Sequence, residues 1–201
     1  MELILGSKNP AKLYSVGLLF EGTGCSLTLA GVPCEAAEDG ADPAENARIK
    51  AEYYAEKFGR PAIAEDSGLY FLDLPMDDPR QPGLYVRRVN GRELTDDEMI
   101  AHYSALAKSL GGRVRAAWYD GYAISFGKGR TSVFLLSREA TEAWAFYLLD
   151  RQISPVHPGF PMDSISEVPP RTPEKQAVRM KGVEELKAFF RDEIEKHRAE
   201  F

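Results

Sequence analysis

The chain is short of cysteine, of histidine, of excess charge of one sign and of long apolar runs. Its 201 residues include two cysteines, Cys25 and Cys34, and three histidines, His102, His157 and His197. The cysteines form no metal-ligand spacing and the histidines form none either, so the histidines read as surface or loop residues. So few cysteines give no disulfide framework, and a reduced, cytoplasmic setting is the simpler expectation. No apolar run approaches the roughly 20 residues of a membrane span, and the run in MELILGSKNPAK is too short for a secretory leader. Lys and Arg number 25 against 31 Asp and Glu, giving a net charge of −6 with both signs mixed along the chain. A duplex-coating nucleic-acid face needs concentrated basic charge and is not expected. A small polyanion, which needs only a local cationic pocket, remains compatible. Repeats and low-complexity stretches are absent.

What is present is an ordinary globular composition, 44% hydrophobic and 28% charged, on a chain long enough for one domain or two closely joined lobes. The organising stretch is Pro61–Leu74. There an apolar run, Ala62-Ile63-Ala64, meets Glu65-Asp66-Ser67-Gly68 and then a second run, Leu69–Leu72. This reads as a short buried strand delivering two adjacent carboxylates and a hydroxyl to a glycine turn. Carboxylates near a core must be paired or bound to a metal. They can equally end a strand by bonding to local amides, and the stretch alone leaves both readings open.

Ahead of it, Glu2–Leu5 is a strand candidate, and Asn9-Pro10 starts a helix to about Phe20. Ser7, Asn9 and Lys12 therefore lie where a strand feeds a helix N-terminus. Free amides, the positive dipole end and a lysine converge there, which suits phosphate oxygens. The glycines and Lys-Ser/Thr pair of a Walker loop are missing. Ser26–Ala30 reads as a second strand. Asp42-Pro43-Ala44-Glu45 opens a second helix to about Phe58, ended by Gly59, with Asn46 and Lys50 on one face. Glu45 is either a capping-box glutamate or an inward-turned metal ligand.

After the acidic stretch, Pro82-Gly83 is a tight turn positioning Tyr85, Arg87 and Arg88. Thr95–Glu98 caps a helix to about Leu110, ended by Gly111-Gly112. Val114–Phe126, Ser132–Leu136 and Ala143–Leu149 read as successive antiparallel strands. Trp118 and Trp144 are expected in the core or between lobes. Ile153–Pro170 is an irregular loop, Thr172-Pro173-Glu174 caps a helix, and an amphipathic segment, Val183–Phe201, follows. Helices between strands early and a meander late predict an α/β protein of two lobes with a cleft.

Four segments then align in order: Ser7-x-Asn9-x-x-Lys12, Glu45-Asn46-Ala47-x-x-Lys50-Ala51, Ala64-Glu65-Asp66-Ser67-Gly68-Leu69, and Phe160-x-x-Asp163 followed by Lys175. Together they resemble the inosine/xanthosine triphosphate pyrophosphatase family, also called Ham1-like, over nearly the whole chain. The resemblance implies one domain over residues 1–201, with a long central mixed sheet flanked by helices, two lobes and a cleft. It further implies a homodimer and Mg²⁺-dependent hydrolysis between the α- and β-phosphates of a nucleoside triphosphate. No nucleic-acid or membrane partner is implied. The phosphate loop falls on Ser7 through Lys12, Lys8 included, and Lys50 adds a second cation. Glu45 and Asp66 are the implied metal ligands, and Asp66 or Glu65 the implied base, with Ser67 beside them at the substrate. Phe160 is implied to stack on the base, Asp163 to close that loop, and Lys175 to reach the nucleotide.

The chain departs from the family pattern where the base is read. Arg179-Met180-Lys181 stands where Ser-His-Arg is usual, so the arginine's place falls to Lys181, which lacks a planar donor fork. Val86-Arg87-Arg88 stands for Ser-Ala-Arg, keeping Arg88. Pro161-Met162 replace the usual residues between aromatic and aspartate. ITP, dITP and XTP are the default substrates. The alternatives are the same chemistry on a modified or pyrimidine triphosphate, and a nucleotide-binding protein without catalysis.

Overall fold

A computed structural model describes residues 1–127 and 129–200. The strands are β1 (Glu2–Leu5), β2 (Ser26–Leu29), β3 (Ala62–Phe71), β4 (Arg88–Val89), β5 (Arg92–Glu93), β6 (Arg113–Ser125), β7 (Thr131–Leu135), β8 (Phe146–Leu149) and β9 (Ser166–Glu167). The helices are α1 (Pro10–Gly17), α2 (Pro43–Phe58), α3 (Asp96–Ser109), α4 (Arg138–Ala143) and α5 (Pro173–His197). Seven strands form one mixed sheet in the order β2-β1-β3-β6-β8-β9, with β7 also on β6, and β4-β5 form a separate pair. The predicted mixed α/β fold is therefore observed. The chain divides into two compact units. The first comprises Met1–Ser67, Asp120–Ser137 and the chain from Met180 on; the second comprises Gly68–Tyr119 and Arg138–Arg179.

In the first unit β1 runs parallel to β2 and β3, and β7 runs antiparallel to β6. Strand alternation sends Leu3, Leu5, Ile63 and Ile124 to one face, where they pack with Phe20, Leu186, Phe190 and Ile194. Burying each such side chain stabilises by roughly 1.5–3 kcal/mol. The opposite face carries Ala64 and Ala123 against Ala47 and Ala51 of α2, and this layer of methyl groups lets the helix lie close. Gly121 permits the closest approach, since a Cβ there would stand 2.2 Å from the Ala44 amide nitrogen. α2 starts where it does because the Asp42 carboxylate accepts from the Glu45 amide at 2.9 Å and Pro43 occupies the first helical position. It stops at Gly59, in the left-handed region with φ 62°.

The second unit packs Leu69, Phe71, Met99, Tyr103, Val114, Leu148, Met162 and Ile165 into its own core. Here β8 runs antiparallel to β6 and β9 antiparallel to β8. α3 opens with a reciprocal capping box between Thr95 and Glu98. The Tyr103 hydroxyl donates to the Val86 carbonyl at 2.8 Å. Burial pushes the phenol well above its ordinary value.

Five expectations change. Glu65–Gly68 is not a turn: β3 continues through it for ten residues. Gly68 marks close packing inside the strand, since a Cβ there would stand 2.7 Å from the Tyr70 ring and 3.3 Å from the Gly83 carbonyl oxygen. The late strands are not a meander, because β7 and β8 both pair with β6. An unexpected helix, α4, ends at Ala143 and buries Ala140 and Ala143 at helical spacing, so the strand read from Ala143 starts at Phe146. Trp118 stacks on Phe146 at 6.4 Å as a packing residue, whereas Trp144 is 42% exposed, held by the Arg171 guanidinium 5.2 Å from its ring. The final helix is continuous from Pro173 to His197; Phe201 lies outside the described residues.

Candidate active site

β3 carries its two acidic side chains to opposite faces of the sheet, as strand alternation requires. Ile63 belongs to the face shared with α1 and Ala64 to the face shared with α2, so Glu65 returns to the α1 side and Asp66 to the α2 side. The ion pairs agree. Glu65 Oε2 lies 3.7 Å from Lys12 Nζ, one turn into α1. Asp66 Oδ1 accepts from Lys50 Nζ at 2.5 Å, and Asp66 Oδ2 accepts from Asn46 Nδ2 at 3.1 Å, both donors rising from α2.

Lys50 and Asn46 reach one carboxylate because they stand four apart on the inner face of α2. Lys50 and Asp66 are largely shielded, their side chains 11% and 14% exposed, and Asn46 is 2% exposed. In such surroundings an ion pair is less screened than at the surface. Glu38, in the loop before α2, approaches Lys50 to 4.0 Å. The same loop donates the Gly40 amide to Asn46 Oδ1 at 2.8 Å.

The β1–α1 turn holds the predicted phosphate loop. The Gly6 amide donates to the Ile63 carbonyl at 2.8 Å, joining this turn to β3. A Cβ on Gly6 would stand 2.5 Å from the Tyr54 ring, so glycine is required there. The Asn9 amide donates to Ser7 Oγ at 3.0 Å, and Lys12 sits one turn on with its side chain 27% exposed. Lys8 is exposed on the same turn. Ser67 Oγ donates to Asp120 Oδ1 at 2.9 Å, on the face of Glu65.

Glu45 closes no capping box and faces Arg48 instead. Its amide is capped by Asp42, and its carboxylate is bidentate on Arg48, Oε1 to Nη2 at 2.6 Å and Oε2 to Nε at 3.0 Å. That guanidinium holds the Glu45 carboxyl below its ordinary value. Among the described residues, no group of three or more His, Cys, Asp or Glu side chains could hold a metal ion.

The residues expected at the base divide between the units. In the second unit Phe160 is 38% exposed at the head of a 3₁₀ turn, Pro161–Ile165, anchored by buried Met162 and Ile165. Asp163 is exposed on that turn, its amide donating to the Phe160 carbonyl at 3.2 Å. Lys175 lies in the first turn of α5, its amide donating to Thr172 Oγ1 at 3.3 Å. The Arg88 guanidinium stands 5.2 Å from the Tyr85 ring, while Arg87 turns in to the Leu94 carbonyl and Asp96. In the first unit Lys181 is exposed and pairs with Glu185 at 3.8 Å.

Sequence reading missed Asn46 and Asp120 as members of the site. The signals were the four-residue spacing of Asn46 and Lys50, and a glycine directly after Asp120 inside a strand, which marks close backbone approach.

Known proteins share part of this sequence and its fold. The dITP/XTP pyrophosphatase of Frankia alni is 39% identical over 94 residues, 46% of this chain and 45% of that protein. The chain spans about half the length of the curated relatives it matches. A solved structure from Mycobacterium abscessus, described as a nucleoside-triphosphatase and dITP/XTP pyrophosphatase, is 26% identical. It superposes with a TM-score of 0.60 over 94% of this chain and 98% of that one. A HAM1 protein from Coxiella burnetii, 24% identical, shares the fold with a TM-score of 0.64 over 96% of this chain and 99% of that one. Residues 3–134 match the Ham1 family, and the chain belongs to that family.

Proposed function

We propose that this chain hydrolyses nucleoside triphosphates between the α- and β-phosphates, releasing a nucleoside monophosphate and pyrophosphate. The observation that supports this best is the Asp66 carboxylate, held between Lys50 and Asn46 on a strand whose other face pairs Glu65 with Lys12. A shielded carboxylate with its own lysine, and a second lysine at a strand-to-helix turn, suit a polyanion that must be both bound and attacked.

In this reading Ser7 to Lys12 and Lys50 offset triphosphate charge, and Glu65 restrains Lys12. Asp66 orients a water and takes its proton as the water oxygen attacks the α-phosphorus. The bond from that phosphorus to the bridging oxygen breaks, and its electron pair leaves with pyrophosphate. Magnesium commonly takes one or two carboxylates and completes its shell with water and substrate phosphate. Asp66 suits that donor set, since each of its oxygens accepts one hydrogen bond and keeps lone-pair capacity. Glu45 would join it after release from Arg48. When bound, the ion would offset charge developing on the leaving pyrophosphate.

Phe160 would stack on the base, with Asp163, Lys175, Lys181 and Arg88 as further contacts to the nucleotide. Stacking contributes roughly 1–3 kcal/mol without identifying the base, by analogy with single-strand binders. ITP, dITP and XTP are the expected substrates. Exposed Met180 and the Lys181–Glu185 pair favour a second reading, the same reaction on a different base. A homodimer belongs to the same proposal and is checked by sedimentation.

The test is pyrophosphate release from ITP, dITP, XTP, the four common triphosphates and modified ones, with Mg²⁺ or with EDTA. Metal-dependent release from the first three is the expected result. Release from another nucleotide alone keeps the reaction and moves the substrate. Binding without release from any of them overturns the enzyme.

A further inference from the structure

Asn46 is buried, yet both ends of its side-chain amide are used, and they reach in different directions. Oδ1 accepts from the Gly40 amide at 2.8 Å and Nδ2 donates to Asp66 Oδ2 at 3.1 Å. A buried carboxamide with both ends paired has one orientation, because flipping it would face its carbonyl to a carboxylate and its NH₂ to an amide donor. The backbone beneath it is equally constrained. A Cβ on Gly121 would stand 2.2–2.5 Å from the backbone of Pro43 and Ala44, so the first turn of α2 is seated on β6. A Cβ on Gly40 would stand 2.8 Å from Asn46 Oδ1 and 2.7 Å from the Glu45 side chain, so the preceding loop closes directly over that turn. Lys50 holds the second Asp66 oxygen from one helical turn further along.

We infer that Asn46 is a positioning residue: it fixes the rotation of the Asp66 carboxylate and ties that rotation to the loop ending at Gly40. The inference deepens the proposed hydrolase reading and rests on it for its kinetic part. With Lys50 on Oδ1 and Asn46 on Oδ2, the carboxylate plane has two fixed points instead of one, and its unused lone pairs hold a constant direction. A carboxylate with Lys50 alone would rotate about its Cβ–Cγ bond, and a proton acceptor misdirected by even an ångström loses rate without losing substrate affinity. The tie to Gly40 also means that displacement of the loop is felt at Asp66.

Two substitutions separate the parts. Asn46→Asp keeps an acceptor for the Gly40 amide and replaces the donor to Asp66 with a second carboxyl group against it. Asn46→Ala removes acceptor and donor alike. On the nucleotide-free protein, hydrogen exchange at the Gly40 amide should change by less than about threefold in Asn46→Asp and accelerate by about tenfold or more in Asn46→Ala. In turnover of the nucleotide that the parent hydrolyses best, Asn46→Asp should lower kcat by about 10- to 100-fold with KM within about threefold. A residue that merely supported the fold would move KM and thermal stability together with kcat. A third readout needs no activity: the Asn46 side-chain NH₂ resonances should shift in Asp66→Asn and stay in place in Glu65→Gln.

Asn46→Asp with parental kcat, or NH₂ resonances indifferent to Asp66→Asn, overturns the positioning of Asp66. Unchanged Gly40 exchange in Asn46→Ala overturns the tie to the loop. If either variant fails to fold, Gly40→Ala, which presses on Asn46 Oδ1 from the loop side, should displace the same resonances. Their indifference to it would overturn the inference. Should the parent release no pyrophosphate, the enzyme reading falls, while exchange and resonances still decide what Asn46 holds.

Discussion

The two faces of β3 carry one carboxylate each, and the two are held differently. Asp66 is gripped by an ammonium and a carboxamide at hydrogen-bond distance. Glu65 meets the Lys12 ammonium at 3.7 Å, charge against charge with no short bond. Adjacent residues of one chemical type thus acquire separate tasks, because a strand sends neighbours to opposite sides and each side brings its own helix. The tightly fixed carboxylate is suited to directing a proton, which depends steeply on angle and distance. The loosely paired one is suited to keeping a phosphate-binding lysine near its station, since a long ion pair yields readily to a stronger anion.

The largest effect that would break this contrast comes from Asp66→Asn. It preserves shape and one of the two hydrogen bonds, since a carboxamide keeps a single acceptor oxygen for Lys50 or Asn46, and it removes the acceptor of the water's proton. Turnover should fall by about 10²–10⁴-fold, the range set by general acid–base catalysis, with the thermal midpoint little changed. Glu65→Gln should lower kcat by less than about tenfold, because it only loosens Lys12. Steady-state kinetics on both variants checks this, and equal losses would mean that the two faces are not divided by task.

Much of this was legible in the chain. Lys12, Lys50, Glu65 and Asp66 were found from spacing and from the resemblance, and each lies in the first unit close to another member of the set. The division between Glu65 and Asp66 was also within reach, but Gly68 suggested a turn and concealed it. A glycine in a strand looks the same in sequence whether the chain bends or another backbone presses close. The partner of Glu45 was concealed for a different reason. The place of Glu45 in the first turn of α2 was correct, but Arg48, three residues on, competes for its carboxylate, and an i,i+3 pair on an exposed surface is not distinguished by spacing alone. Asp120 could not be linked to Ser67 in advance, because 53 residues separate them and strand pairing alone brings them together. α4 escaped notice because six residues give barely one and a half turns of periodicity.

A middle-sized effect sharpens the role of the α1 face. Lys12→Ala removes a cation one turn from the β1–α1 loop and frees Glu65 to repel an incoming triphosphate. KM should rise by about tenfold or more and kcat should fall less than KM rises, the pattern of a group that binds ground and transition states alike. Lys12→Ala with Glu65→Gln should recover part of that loss, since the unpaired carboxylate is then gone. An unchanged KM in the single variant would remove Lys12 from the phosphate loop.

The smallest effect tests whether being held from two sides is itself a sign of function. Glu98 is held as firmly as Asp66: it accepts from the Thr95 amide at 2.8 Å and from Arg92 at 2.5 Å, but on an exposed helix start. The Thr95 amide first and the Arg92 guanidinium next pull its carboxyl down to about 2. A carboxyl depressed in the folded state stabilises above its unfolded value of about 4.3, and that contribution disappears as pH falls through about 2. Glu98→Gln should therefore flatten the fall of the thermal midpoint between about pH 5 and pH 2 and leave turnover at neutral pH untouched. If acid unfolding of parent and variant coincides, the capping box carries none of the acid sensitivity. If turnover falls, then firm anchoring of a carboxylate, and not its place on β3, is what the two faces have been telling apart.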